Sequence, residues 1–316
     1  MKGVIDHYRR RVRGLFHRNR FFVHYKLLVF KVFPSRRRKK VLQAASTLVT
    51  PYSGFMLSEY YLSREIDEFG LVWLNPKSKR LKRSFPSSTL IGGIIYCQVD
   101  QLEEFVKLFL PKIIKPYVLI TGKCNLPPLE DSDYVQEILS HPKLLGWFSQ
   151  NQIFEHLEIM PFPYGVDLEN SPCVMEHVNN RTGKKSDSVL TPFARIHDHL
   201  KGRIRADREF LISFMEPKKP LNDYLKDLDD NKWIVSPAGD RPDTFRHWES
   251  LALGSIPISV LPKNFENLFE DSLLIVENFD FLEEGLVPVN DCVHNDELVL
   301  LSFWKRKVEV CMSNAS

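Results

Sequence analysis

Residues 233–260 read WIVSPAGDRPDTFRHWESLALGSIPISV, and their pattern is strand, loop, helix, strand. Trp233-Ile234-Val235 is a short apolar run rich in β-branched residues, and Ser236-Pro237-Ala238-Gly239-Asp240 after it is turn chemistry. Pro242 punctuates, and Asp243 or Thr244 is placed to cap a helix N-terminus. Phe245, Trp248, Leu251 and Ala252 then recur at helical spacing as one apolar stripe. Asp243, Arg246 and Glu249, three apart, form a second, charged stripe. Gly254 falls where a helix C′ residue would, and Ile256–Val260 is the next strand.

A glycine-containing loop feeding a helix N-terminus presents free backbone N–H groups and the positive end of the helix dipole to an anion. Arg246, one turn in, is placed to add a charge-assisted hydrogen bond to a phosphate. Glu249, one turn further, is placed to accept from the vicinal hydroxyls of a sugar. The competing interpretation is an ordinary i,i+3 surface pair, which contributes little.

The run SPAGDRPDTFRHWESLALGSIPI resembles the most distinctive segment of exostosin-like glycosyltransferases, in which a Ser/Pro/Gly loop leads into D-T-x-R-x-W-E-x-L-x-x-G-x-I-P. Asp243, Thr244, Arg246, Trp248, Glu249, Leu251, Gly254, Ile256 and Pro257 fall on that pattern. YVLITGKCN, HPKLLGWFSQN and MPFPYGVD give a weaker echo upstream, so that the similar segments span about residues 90 to 260. The resemblance implies a GT-B-like α/β fold, two Rossmann-like domains with parallel sheets facing a central cleft. It implies transfer of a sugar, with inversion, from a nucleotide diphosphate (a UDP-sugar) to a glycan acceptor. Arg246 and Glu249 would then contact donor phosphate and donor sugar or ribose, with Ser236, Gly239, Asp243 and Thr244 completing the donor-binding set; Asp243 is cap and ligand at once, or cap alone.

Composition bounds the rest. A chain of 316 residues has room for two domains. The net charge of +3 hides an asymmetry: residues 1–40 hold 14 Lys/Arg against the single acid Asp6, while the remaining 276 residues carry 29 basic and 39 acidic residues. The basic arm suits an anionic membrane surface or a solvated tail; nucleic acid has no support elsewhere in the chain. Five scattered cysteines have no zinc-ligand spacing and argue against a disulfide framework, which favours a reducing compartment. The apolar run Phe21–Phe33 is about half a membrane span and is broken by Lys26 and Lys31. A cytoplasmic location, peripheral on a membrane, is the expectation; the Golgi anchor typical of animal and plant exostosin-like enzymes is not evident.

Alternating strands and helices predict parallel sheets covered on both faces. Strands are expected at Leu90–Tyr96, Tyr117–Thr121, Trp147–Ser149 and Leu157–Met160, with a turn and strand at Phe69–Leu74 and helices at Gln101–Leu110 and Tyr134–Leu139. The expected divisions are a basic arm (1–40), an acceptor domain (41–167), a polar linker or insertion (168–205), a donor domain (206–295) and a closing helix (296–316). In the donor domain Phe210–Phe214 is expected as a strand and Leu221–Leu228 as a helix.

Ligands of open α/β sheets bind beyond the carboxyl ends of the strands. Lys218 and Lys219, after the expected strand at 210–214, are candidates to neutralise a pyrophosphate, or ordinary loop lysines. An inverting transfer needs a base for the acceptor hydroxyl. Glu130, Asp131 and Asp167 are the candidates, each equally at home as a cap or surface acid. Asp131-Ser132-Asp133 spells a D-x-D metal motif, but it belongs to a different fold and precedes a helical pattern where caps are expected. His141, His156, His197 and His199 have no metal-ligand spacing with acids. No metal and no cofactor beyond the nucleotide-sugar substrate is expected.

Overall fold

The structure is a computed structural model that describes residues 35–82, 91–122, 129–150, 152, 154, 156–194, 206–239, 241–262, 265–285 and 291–313. The basic arm before residue 35, the run 21–33, and His197 and His199 lie outside these residues.

Two parallel sheets organise the described chain. The first has six strands: β1 (Tyr60–Leu62), β2 (Lys79–Arg80), β3 (Ile91–Gln98), β4 (Ile113–Gly122), β5 (Leu144–Ser149) and β6 (Ile159–Pro161), in the order β2-β1-β3-β4-β5-β6. The second has four: β7 (Ser186–Leu190), β8 (Asn231–Val235), β9 (Ile256–Ser259) and β10 (Leu274–Ile275), in the order β10-β9-β8-β7. Every pairing in both sheets is parallel. This is consistent with two Rossmann-like units.

The central strand β4 shows why its sequence is apolar without alternation. Val118 and Ile120 enter one hydrophobic cluster, and Tyr117 and Leu119 enter another on the opposite face, all fully buried. A parallel strand covered on both faces needs apolar residues at every position. The outer face is closed by helices Leu102–Leu108 and Asp133–Leu139, through Leu102, Phe105, Val106, Val135 and Ile138.

The inner face belongs to a cluster shared by both sheets, which runs from Tyr96, Val118 and Phe148 of the first to Ile234, Trp248 and Leu251 of the second. The helix Leu301–Ser313 returns to the first sheet: Trp304 meets Phe162 edge-on at 5.6 Å, and Cys311 lies over Gly146 of β5. Truncating Trp248 or Trp304, each at most 2 % exposed, would cost roughly 3–5 kcal/mol. Gly165 packs against the Val49–Thr50 backbone, with φ +78 and a position where a Cβ would lie 2.3 Å from the Val49 carbonyl oxygen.

The structure departs from the sequence expectations in three places. Residues 168–205, expected to be a linker or insertion, carry the helix Ser171–Asn180 and β7, so the second sheet begins before residue 206. β7 carries no strand signal in its sequence because Ser186, Asp187 and Ser188 are polar and exposed on a sheet edge. Phe210–Phe214, expected as a strand, belongs to the helix Ala206–Leu211 and the turn after it. There the rings of Phe210 and Phe214 meet at 5.3 Å, as i,i+4 neighbours do on a helical turn. The strand expected in Phe69–Leu74 is a 3-10 turn, Leu71–Leu74, entered through a left-handed Gly70.

Among the described residues no helix is long and apolar enough to cross a membrane.

Candidate functional site

Within 233–260 the described residues fold as their pattern predicts, and Asp240 lies outside them. β8 and β9 lie side by side in parallel, Trp233 opposite Ile256 and Val235 opposite Ile258, and the helix Phe245–Ala252 connects them. Pro257 is tolerated in an inner strand because pairing with β10 begins only at Ile258. Thr244 is the N-cap, with extended backbone, and Gly254 closes the helix at φ +82. The helix opens with a capping box in which His247 takes the place usual for Glu or Gln: its Nδ1 accepts from the Thr244 backbone N–H at 3.0 Å.

That contact fixes the tautomer of a wholly buried histidine. With Nδ1 accepting, Nε2 carries the proton and donates to Ser259 Oγ at 3.0 Å, and Ser259 Oγ donates to the Ser236 carbonyl at 2.6 Å. Burial pushes the imidazole down to about 3, with the Arg246 charge acting in the same direction. The ring is a neutral structural bridge joining the helix to the ends of β8 and β9.

A cavity of about 480 Å³ opens at the carboxyl ends of β7 and β8, the position expected for ligands of a parallel sheet. One wall is Leu190, Pro192, Phe193 and Ala194 after β7; another is Pro237 and Gly239 after β8. Thr244, Phe245, Arg246 and Glu249 of the helix form a third, and Lys218, Lys219 and Tyr224 a fourth. The loop before Lys218 is tied to the strand end by the Glu216 backbone N–H on the Thr191 carbonyl, 2.8 Å.

Of the expected donor-binding residues, the cavity gathers Thr244, Arg246, Glu249, Gly239, Lys218 and Lys219. They differ in what they have free. Lys219 is paired with Asp227 at 2.7 Å and lies 3.7 Å from Glu216. Lys218 is exposed and makes no ion pair among the described residues. The Gly239 N–H donates to the Arg241 carbonyl at 2.7 Å. Arg246, half-buried, spends its guanidinium on backbone carbonyls, Nη2 on Phe193 and Nη1 on Val235, and its Nε is buried with no hydrogen-bond partner among the described residues.

Ser236 and Asp243 do not reach the cavity wall. Ser236 is fully buried with its hydroxyl 3.0 Å from His247 Nδ1. Asp243 is also fully buried, and its Oδ2 accepts from the Tyr164 backbone N–H and from Trp248 Nε1, each at 2.8 Å. It fastens the two halves together. Burial raises its carboxyl above the ordinary range, partly offset by those two hydrogen bonds and the Arg241 charge.

Glu249 is the chemically distinctive group on the wall. It is 6 % exposed, and burial pushes its carboxyl up to about 7. A hydrogen bond from Tyr224 Oη to Oε2, 2.8 Å, opposes the shift, the Asp167 charge reinforces it, and Arg246 opposes it. Tyr224 was not singled out in the sequence. The available signal was its place beside Leu221, Leu225 and Leu228 on an amphipathic helix, where a buried phenol needs a partner.

The candidate bases are dispersed. Asp167 follows β6 and its charge is felt at Glu249; its Oδ1 caps the next turn, accepting from the backbone N–H groups of Glu169 and Asn170 at 2.8 and 3.1 Å. Glu130 and Asp131 are exposed between β4 and the helix Asp133–Leu139, and neither they nor Asp167 is on the cavity wall; Asp131 accepts from Gln136 Nε2 at 2.9 Å. Ser132 takes the N-cap position of the Asp133–Leu139 helix, but its side chain makes no capping hydrogen bond. The described residues contain no cluster of three or more His, Cys, Asp or Glu side chains able to hold a metal ion.

The chain matches no model of a known protein family, and no curated protein sequence matches it.

Proposed function

We propose that the protein is a glycosyltransferase of GT-B type that binds a nucleotide diphosphate sugar in the cavity at the carboxyl ends of β7 and β8. One observation carries this reading: Thr244, Arg246 and Glu249, singled out by a sequence motif, stand together on the wall of a cavity at the ligand-binding edge of a parallel sheet. In the reaction an acceptor hydroxyl attacks the anomeric carbon as the bond to the diphosphate breaks, and the configuration inverts. The departing diphosphate takes the bonding pair. Lys218 and the helix N-terminus are placed to stabilise that charge, Arg246 adds its charge from a guanidinium already hydrogen-bonded to the Phe193 and Val235 carbonyls, and Glu249 is placed to hold sugar or ribose hydroxyls. The acceptor proton passes to a carboxylate. Asp167 is favoured because its charge reaches Glu249, and Glu130 and Asp131 are the alternatives. The acceptor is a glycan, and the basic residues 1–40 dock the enzyme on an anionic membrane surface facing the cytoplasm. No step requires a metal.

A second reading, a sugar-nucleotide-binding accessory protein without turnover, is favoured by one observation: none of the candidate bases Glu130, Asp131 and Asp167 is on the cavity wall. The test is a thermal-shift screen against UDP, GDP, CMP and their common sugars, followed by nucleotide release with mixed glycan acceptors. At a hundredfold excess over Kd a ligand adds about 2.7 kcal/mol of stability. Stabilisation that disappears in Arg246→Ala and Glu249→Ala, together with release of nucleotide, supports the transferase. Stabilisation without release supports the accessory protein. A well-folded wild type that no nucleotide stabilises overturns both.

A further inference from the structure

We propose that Tyr224 is a positioning residue that clamps Glu249 in its ligand-binding orientation, with one carboxylate oxygen held by the phenol and the other turned to a vicinal diol of the ligand. The inference rests on the donor-site reading of the cavity. Its basis is the asymmetry of the Glu249 carboxylate. Oε2 accepts from Tyr224 Oη at 2.8 Å, and Oε1 accepts from no described residue. Both side chains line the cavity, and they come from different elements, the helix Leu221–Asp230 before β8 and the helix Phe245–Ala252 after it.

The clamp matters because the carboxylate is buried. A diol donates two hydrogen bonds and is best met by an ionised, acceptor-only carboxylate, whereas burial favours the protonated acid. The Tyr224 hydrogen bond acts against burial, in the same direction as the Arg246 charge, while Asp167 acts with it. A phenylalanine at 224 would keep the packing, lose the donor and leave the acid form favoured to higher pH. The cavity wall therefore carries the acceptor and the group that holds it ready to accept.

The experiment is calorimetric titration of UDP and of the UDP-sugar that most stabilises the wild type, from pH 5.5 to 8.5, with wild type, Tyr224→Phe, Glu249→Gln and the double variant. Loss of a hydrogen bond to a charged group predicts a Kd raised roughly ten- to hundredfold in Tyr224→Phe at neutral pH. It also predicts an acid limb of the binding profile displaced to higher pH. In the Glu249→Gln background, which has no acid limb, Tyr224→Phe should add little, since the two changes act through one pair.

An unchanged Kd and pH profile in Tyr224→Phe overturns the inference. So does an equal loss of binding in both backgrounds, which is what a merely structural tyrosine would give. Melting of the free variants, expected within a few degrees of wild type, separates misfolding from a lost contact. Weakening confined to the UDP-sugar places the diol on the transferred sugar, and equal weakening for UDP places it on the ribose. If the wild type binds no nucleotide at all, the donor-site reading fails and takes this inference with it.

Discussion

Asp243 Oδ2 accepts the backbone N–H of Tyr164 at 2.8 Å, across 79 residues of sequence. The same oxygen holds Trp248 Nε1, and the Tyr164 ring stacks on Phe245 with centroids 4.6 Å apart and planes 15° apart. One buried carboxylate thus ties the loop after β6 to the first turn of the site helix. Replacing Asp243 by Ala strands a backbone N–H and an indole N–H, and the expected loss is on the order of 3 kcal/mol. Asp243→Asn keeps an acceptor oxygen and should lose less. Urea unfolding of the two variants, side by side, checks both size and order.

Glu249 should cost the free protein stability. Its carboxyl rises from 4.5 to about 7 on folding, so the folded state keeps a proton that the unfolded chain releases. Wild type therefore loses stability as pH climbs from 4.5 to 7, by an amount approaching about 3 kcal/mol. Glu249→Gln removes this slope. The variant should melt above wild type at pH 8, with no advantage at pH 4, while binding nucleotide more weakly. Equal melting temperatures at pH 8 would rule out the buried-acid account.

His247 works in the opposite direction. Its imidazole falls from 6.5 to about 3 on folding, so the unfolded chain takes up a proton first as the medium is acidified. The contribution is intact above pH 6.5 and lost as pH falls toward 3, amounting to about 4–5 kcal/mol at the end. Between pH 6.5 and 4.5 the gain from Glu249 opposes this loss; below 4.5 it no longer grows. His247→Gln, whose amide suits the capping box, should flatten the acid limb of a stability profile recorded between pH 3 and 7.

Gly165→Ala should damage the fold although the added group is one methyl. The residue sits at φ +78, and the new Cβ would meet the Val49 carbonyl oxygen at 2.3 Å. Backbone strain and overpacking together predict a loss on the order of 3 kcal/mol. The readout is a lowered urea midpoint with unchanged slope.

How much of this was legible depended on how strongly each element marks itself. The strands around Val118, Phe148 and Ile234 and the helix carrying Trp248 announce themselves through apolar runs and periodicity, because burial on both faces forces the composition. β1 and β2, three and two residues long, are too short to show a period, and β7 hides behind three exposed polar residues. In the site, Arg246, Glu249, Thr244, Gly239 and Lys218 were readable from motif and position. The placement of Asp243 and Ser236 was not. A short polar residue beside a helix start can face a ligand or the interior with equal ease, and only the positions of Tyr164 and His247 decide. Tyr224 depends on a partner 25 residues away, which local pattern does not reveal.

The return of the helix Leu301–Ser313 to the first sheet has a consequence for biosynthesis. Its Trp304 completes the cluster that contains Phe162, yet it leaves the ribosome about 140 residues after β6. At ordinary elongation rates that is a delay of roughly seven to thirty seconds. During it the nascent chain carries an unfinished apolar face, which is where aggregation would start, and a chain ending shortly before residue 301 would keep that face open.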